Sequence, residues 1–173
     1  MSRAFVFPGQ GAQTIGMGKA LAEACPQARA VFDEVDAALG ERLSALIWEG
    51  DQDTLTLTQN AQPALMATSL AAMRALEAEG AGIDAASLVA GHSLGEYSAL
   101  AAAGALSVAD AARLLRTRGK AMQEAVPVGV GAMAAILGLD LAAARQLAED
   151  AAEGQVLQAA NDNDPAQVVL SGH

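Results

Sequence analysis

Gly91-His92-Ser93-Leu94-Gly95 has the G-x-S-x-G form, which can seat a serine on a sharp strand-to-helix turn. The glycines let the backbone turn tightly and leave room for substrate. The Ser93 oxygen would then project at the head of a helix, where backbone N–H groups point outward and can hold a developing oxyanion. That is the equipment for acyl transfer through a serine ester. The pattern alone is unspecific, and an ordinary strand-helix turn carrying a solvated serine would satisfy it. Its flanks favour the nucleophile: Ser87-Leu88-Val89-Ala90 is a short apolar strand, and Glu96 to Ala103 forms helix readily.

A serine hydroxyl needs a base, and the chain has two histidines, His92 and His173. His92 adjoins Ser93, and neighbouring side chains on a tight turn diverge, so it reads as a supporting residue together with Gly91 and Gly95. His173 ends the chain, where a base would be poorly preorganised. Neither makes a convincing partner, and the expected base lies outside this sequence.

The second chemical signal is Arg118. A helix is predicted from Ser107, with Asp110 completing an N-cap pair, to about Val126. At about 100° per residue, Val108, Ala111, Leu114, Leu115, Ala121, Met122, Ala125 and Val126 share one arc. Arg113, Arg116, Lys120, Gln123 and Glu124 share the other. Arg118 breaks the pattern, falling between Leu114 and Met122 on the apolar side. A buried guanidinium is costly unless an anion meets it, and its planar fork suits a carboxylate. A structural ion pair to a buried acid, or a snorkelling stem, would explain the position equally well. Beside a nucleophilic serine, a substrate carboxylate is the better fit.

The elements that must position these residues follow from apolar periodicity and breakers. Ala4 to Phe7 is a short strand stopped by Pro8-Gly9, followed by the loop to Gln13. Helices are predicted at about Gly18–Ala24, at Pro26–Leu39 with Gly40 as its stop, near Leu43–Trp48, and at Leu65–Glu79 with Pro63 in its first turn. A loop is expected between the last two. Pro127-Val128-Gly129-Val130-Gly131 marks a boundary between residues 1–128 and 129–173. Beyond it, Ala132–Leu137 reads as strand, Leu141–Ala152 as helix, Gln155–Ala159 and Gln167–Leu170 as strands, and Asn161 to Pro165 as a tight polar loop. That β-α-β-β order is the beginning of a ferredoxin-like unit.

Composition narrows the function classes. The 173 residues are 53% apolar, ample for a core, and 3% aromatic, so the core must be built from Ala, Leu, Val and Met. A net charge of −10 provides no basic stripe for nucleic acid. No apolar run is long enough to span a membrane, and the Ala4–Phe7 run is too short for a signal peptide. A single cysteine, Cys25, allows neither an internal disulfide nor a cysteine metal cluster. The expected location is cytoplasmic.

Taken together, Phe7-Pro8-Gly9-Gln10-Gly11-Ala12-Gln13, Gln62-Pro63-Ala64, Gly91 to Tyr97 and Arg118-Gly119 resemble the malonyl-CoA:acyl carrier protein transacylases of fatty-acid synthesis. The resemblance runs on through Gly131 to Ala135 and Asn161 to Gly172. It implies an α/β fold: an α/β-hydrolase-like core with an inserted ferredoxin-like small domain, incomplete in this chain. It implies Ser93 as the nucleophile carrying the malonyl ester, the Gln10 and Leu94 N–H groups as oxyanion hole, and Arg118 as the site of the malonyl carboxylate. Gln62 would line the substrate site, and Asn161 and Asn163 the small-domain side of the cleft. No cofactor would be bound permanently. Malonyl-CoA would be the donor, and the phosphopantetheine thiol of acyl carrier protein the acceptor. No metal is needed. A docking patch for the carrier would be local, with Arg113, Arg116 and Lys120 as candidates. Family members are close to twice as long, with the catalytic histidine beyond the inserted domain. The chain is therefore expected to be the N-terminal part of the enzyme and inactive alone. An α/β-hydrolase-type esterase and a non-catalytic fragment are the alternatives.

Overall fold

The computed structural model describes residues 3–127 and 129–173. They form two compact units that divide between Gln123 and Glu124. Val128, where the sequence places a boundary, lies outside the described residues.

In the first unit, strands β1 (Ala4–Phe7) and β2 (Leu88–Gly91) pair in parallel, with Phe7 opposite Gly91. A parallel pair needs a long crossover. It is supplied by α1 (Lys19–Ala24), α2 (Pro26–Leu39), α3 (Leu43–Glu49), α4 (Gln52–Thr56) and α5 (Thr58–Ala78). Helix α6 (Leu94–Ala102) follows β2 after two residues, and α7 (Val108–Ala125) comes next. The core is aliphatic and small-residue rich, with Phe32, Leu43, Ile47, Leu55, Met66, Leu70, Leu94 and Leu115 fully buried. Ser107 caps α7 as expected: its hydroxyl accepts the Asp110 N–H at 3.0 Å and donates to the Asp110 carboxylate at 2.7 Å.

Two sequence expectations fail here. The loop after α3 contains a further short helix, α4, capped by the Asp51 carboxylate on the Thr54 N–H at 2.8 Å. Helix α5 starts at Thr58, so Pro63 lies inside it rather than in its opening turn. Proline has no N–H to give the carbonyl four residues back. That carbonyl belongs to Gln59, and Arg116 Nη1 donates to it at 2.6 Å instead. A side chain from another helix thus replaces the missing backbone bond, and the helix runs through its proline.

In the second unit, β3 (Ala132–Leu137), β4 (Leu157–Asp164) and β5 (Gln167–Gly172) form an antiparallel sheet of order β3-β5-β4. Helix α8 (Leu141–Ala151) joins β3 to β4. Ala144 and Ala148 of α8 pack against Val168 and Leu170 of β5. The Asp140 carboxylate caps α8 through the Ala143 N–H at 2.8 Å. The polar run Asn161 to Asp164 is strand, not the expected loop. Two register shifts, at Ala159/Asn161 and Asp162/Asp164, absorb its irregularity. The turn shrinks to Pro165-Ala166, which Asp164 Oδ1 closes by accepting the Ala166 N–H at 3.0 Å.

Candidate active site

The serine turn is built by close backbone approach. A Cβ on Gly91 would stand 1.9 Å from the Gly95 carbonyl oxygen, and one on Gly95 would stand 2.3 Å from the Phe7 oxygen. Both positions exclude every other residue. Ser93 takes φ 56°, ψ −113°, a left-handed conformation that costs a non-glycine residue of order 1–3 kcal/mol. The surroundings impose it. The Gly95 N–H donates to the His92 carbonyl at 2.9 Å, and the Glu96 N–H to the Ser93 carbonyl at 3.2 Å. Ser93 is exposed, immediately before the first residue of α6, while Leu94 behind it is buried. The Leu94 N–H heads the helix, where no carbonyl of the same helix can reach it.

The same packing places the Pro8-Gly9-Gln10 loop beside the turn. The His92 N–H donates to the Phe7 carbonyl at 3.4 Å. A Cβ on Gly9 would lie 3.0 Å from His92 Nδ1, so the imidazole rests against that loop. His173 belongs to the second unit. Its Nδ1 accepts the Val156 N–H at 3.3 Å, and its own N–H donates to the Val156 carbonyl at 3.0 Å.

Arg118 reaches Ser93 from α7. Its Nη2 donates to Ser93 Oγ at 2.9 Å and its Nη1 to Gln62 Oε1 at 2.6 Å. The guanidinium carbon sits 5.9 Å from the centroid of the Tyr97 ring, within cation–π range. None of these partners is an anion. Among the described residues no carboxylate pairs with Arg118, so the structural ion pair left open by the sequence is not what it makes. The apolar arc read from α7 is narrower than expected: Val108, Ala111, Ala112, Leu115 and Gly119 are buried, whereas Leu114 and Met122 are exposed. Arg118 borders the buried strip rather than lying within it.

Gln62 is buried among these groups, and its Nε2 donates to Thr58 Oγ1 at 2.9 Å and to Met122 Sδ at 3.3 Å. Thr58 Oγ1 donates in turn to Gln10 Oε1 at 2.9 Å. Ser93, Arg118, Gln62 and Gln10 therefore form one hydrogen-bonded set. Sequence reasoning assigned no site role to Thr58, Tyr97 or Met122, although it put Met122 on the apolar arc and Tyr97 in the serine motif. Each lies four residues from a residue that it did single out: Thr58 before Gln62, Tyr97 after Ser93, Met122 after Arg118. That spacing puts Thr58 with Gln62, and Met122 with Arg118, on one helix face, while Tyr97 stands in the first turn of α6, just after Ser93. Asn161 and Asn163 are exposed on β4 of the second unit.

Two of the proposed docking cations are engaged internally. Arg113 pairs with Asp110 at 3.0 Å. Arg116, with 11% of its side chain exposed, binds Glu41, Asn60 and the Gln59 carbonyl, and burial pushes its pKa down. Among the described residues no group of three or more metal-binding side chains is assembled, and no helix is long and apolar enough to cross a membrane.

Residues 4–173 match the acyl transferase domain family. The chain is 55% identical over 170 residues to the malonyl CoA-acyl carrier protein transacylase of Bacillus subtilis, covering 98% of this chain and 53% of that protein. Among solved structures, the acyl-carrier-protein-S-malonyltransferase from Bartonella henselae superposes with a TM-score of 0.91 at 57% identity, covering 99% of this chain and 55% of that one. A malonyl-transacylase solved in complex with its type II PKS acyl-carrier protein gives a TM-score of 0.88 at 45% identity, with 99% and 55% covered. The chain spans about half the length of the relatives it matches.

Proposed function

The chain belongs to the acyl transferase domain family, and from that premise we propose that it is the N-terminal part of a malonyl-CoA:acyl carrier protein transacylase. The observation that carries this reading is Arg118: a guanidinium 2.9 Å from Ser93 Oγ, with no carboxylate partner among the described residues. A substrate bearing a carboxylate one short acyl chain away from its thioester would satisfy both groups at once.

Ser93 Oγ attacks the malonyl-CoA thioester carbon, and its proton passes to a base. The tetrahedral oxyanion is held by the N–H groups of Leu94 and Gln10. The C–S bond breaks, coenzyme A leaves as its thiol with the proton returned by the base, and malonyl remains as an ester on Ser93. The phosphopantetheine thiol of acyl carrier protein then attacks that ester through the same site, and Ser93 is regenerated. Arg118 binds the malonyl carboxylate throughout, with its fork oriented by Gln62. No permanently bound cofactor takes part.

His92 rests on Gly9 and His173 is held by Val156, so the base is assigned to chain beyond the residues present here. Two observations support that assignment. The relatives are about twice as long. Val6 and Leu88 lie 74% and 70% exposed on the β1–β2 pair, although parallel sheets are ordinarily covered on both faces.

The same reading makes the first unit part of an α/β-hydrolase-like core and residues 129–173 the start of a ferredoxin-like domain, whose split β-α-β order β3-β5-β4 would suit. Asn161 and Asn163, both exposed on β4, would contribute to substrate binding. Acyl carrier protein is the partner, as it is for the relative solved with one, and the setting is cytoplasmic fatty-acid biosynthesis.

The test is covalent labelling of the complete enzyme with malonyl-CoA followed by peptide mass analysis. A malonyl ester on Ser93 that is discharged by carrier thiol is expected. An adduct on another residue, or hydrolysis with no transfer to thiol, would remove the reading.

A further inference from the structure

We propose that Thr58 is a positioning residue that couples the acyl-carboxylate end of the site to the oxyanion loop; the inference rests on the transacylase reading. The donor and acceptor roles along the set follow from one fact, that a guanidinium can only donate. Gln62 must therefore turn its Oε1 toward Arg118 Nη1, at 2.6 Å. Its Nε2 then faces Thr58 Oγ1, at 2.9 Å, and the hydroxyl accepts that bond. The hydroxyl proton is left to donate, and it does so to Gln10 Oε1 at 2.9 Å. The chain of bonds runs one way, from Arg118 through Gln62 and Thr58 to Gln10. Thr58 is its one member that accepts and donates through a single atom.

The hydroxyl is held from behind. A Cβ on Gly119 would meet the Thr58 carbonyl oxygen at 2.8 Å and Gln59 Cα at 2.5 Å, so α7 packs directly on this turn of α5. Arg116 grips the next residue through the Gln59 carbonyl, at 2.6 Å. The β-branched side chain is restricted at χ1. Thr58 thus presents a hydroxyl of defined direction to the amides of two glutamines, Gln62 and Gln10. Without it Gln62 Nε2 keeps only the weak Met122 Sδ acceptor, so the carbonyl facing Arg118 is less firmly held, and Gln10 loses the Thr58 hydroxyl that anchors its side chain.

The test compares Thr58→Val, Thr58→Cys and Thr58→Ser in the complete enzyme with malonyl-CoA, with acetyl-CoA, and with a fluorophosphonate that labels the nucleophile. Thr58→Val keeps the shape and removes the hydroxyl. It should lower kcat for both acyl groups and slow phosphonate labelling, each roughly tenfold or more, and further reduce the malonyl-to-acetyl ratio of kcat/KM. Thr58→Ser should restore all three. If Thr58→Val does not fold, Thr58→Cys, near in size and weak in hydrogen bonding, is read in the same way. A folded Val or Cys variant with all three values within twofold of wild type overturns the proposal, as does failure of Ser, which keeps the hydroxyl, to restore them. Absence of malonyl transfer by the wild type would instead overturn the transacylase reading, and the phosphonate arm would still decide the role of Thr58.

Discussion

Arg118 Nη2 donates to Ser93 Oγ at 2.9 Å, across two helices and 25 residues of sequence. The bond has a direction. Arginine occupies a lone pair of the serine oxygen and leaves its proton available to a base. In the proposed reaction an arriving substrate carboxylate would compete for the same guanidinium, so binding the acyl group would also release Ser93.

Replacing Arg118 tests that relationship. Arg118→Ala should reduce malonyl kcat/KM by about a hundredfold or more while acetyl transfer falls much less, since a charged hydrogen bond is worth about 1.5–3 kcal/mol and bidentate binding adds to it. Arg118→Lys should recover only part, because the ammonium lacks the planar fork. Steady-state rates with both acyl-CoA donors give the answer. Unchanged selectivity in the alanine variant would remove Arg118 from substrate recognition.

The glycine contacts predict a stability effect separable from chemistry. Gly95→Ala places a methyl 2.3 Å from the Phe7 oxygen and 2.8 Å from the Pro8 oxygen. Backbone on both sides must move, at a cost of about 3 kcal/mol. Urea unfolding should show this in full, and refolded protein should lose Ser93 labelling. Gly40→Ala has open space around its Cβ but sits at φ 66°, so about 1 kcal/mol and unchanged labelling are expected.

Arg116 and Pro63 should be energetically coupled. Arg116→Met leaves the Gln59 carbonyl and the buried Asn60 without their donor, and should destabilise by about 2 kcal/mol. In a Pro63→Ala background the new N–H can close the ordinary helical bond to Gln59. The same arginine change should then cost about 1 kcal/mol less. A double-mutant cycle on denaturation free energies measures the difference, and strict additivity would mean that the proline is not what makes the arginine necessary.

Acid should loosen α4 first. The Thr54 N–H, hydrogen-bonded to the Asp51 carboxylate, holds the Asp51 pKa below its usual 3.8. A depressed folded-state pKa contributes stability that is present above the unfolded value and lost as pH falls through the folded one. Protection of the Gln52–Thr56 amides, relative to their intrinsic exchange, should therefore fall as the pH drops below about 4. Asp51→Ala should exchange faster already at neutral pH, and its difference from wild type should vanish in acid. A difference that persists there would mean the capping carboxylate is not its source.

Much of this was legible because it is local. Apolar runs and breakers mark β1, β2, α2 and α7 within a residue or two. The strand–G-x-S-x-G–helix context places Ser93 on its turn. The errors share a cause, that a distant group satisfies a local demand. Pro63 reads as a helix start because its missing N–H is tolerated there, and nothing near it in sequence says that Arg116 will supply the substitute. The run Asn161 to Asp164 reads as loop from its polarity, and becomes strand because β5 pairs with Asn161, Asp162 and Asp164 and tolerates two bulges. Arg116 reads as an outward-facing docking cation because spacing along one helix does not reveal Glu41 reaching in from before α3.

What the sequence determined by itself is the set of chemical parts: a serine between glycines that only a sharp turn requires, an arginine out of step with its helix, and an apolar content that must fold around them. These are settled within one or two turns of chain, where backbone sterics and periodicity act. Tertiary structure decided what the parts meet. It left Arg118 facing Ser93 and Gln62 rather than an acid, and inserted Thr58 between two glutamines far apart in sequence. Those outcomes depend on how helices pack, through contacts such as Gly119 against α5, and no local pattern of residues contains them.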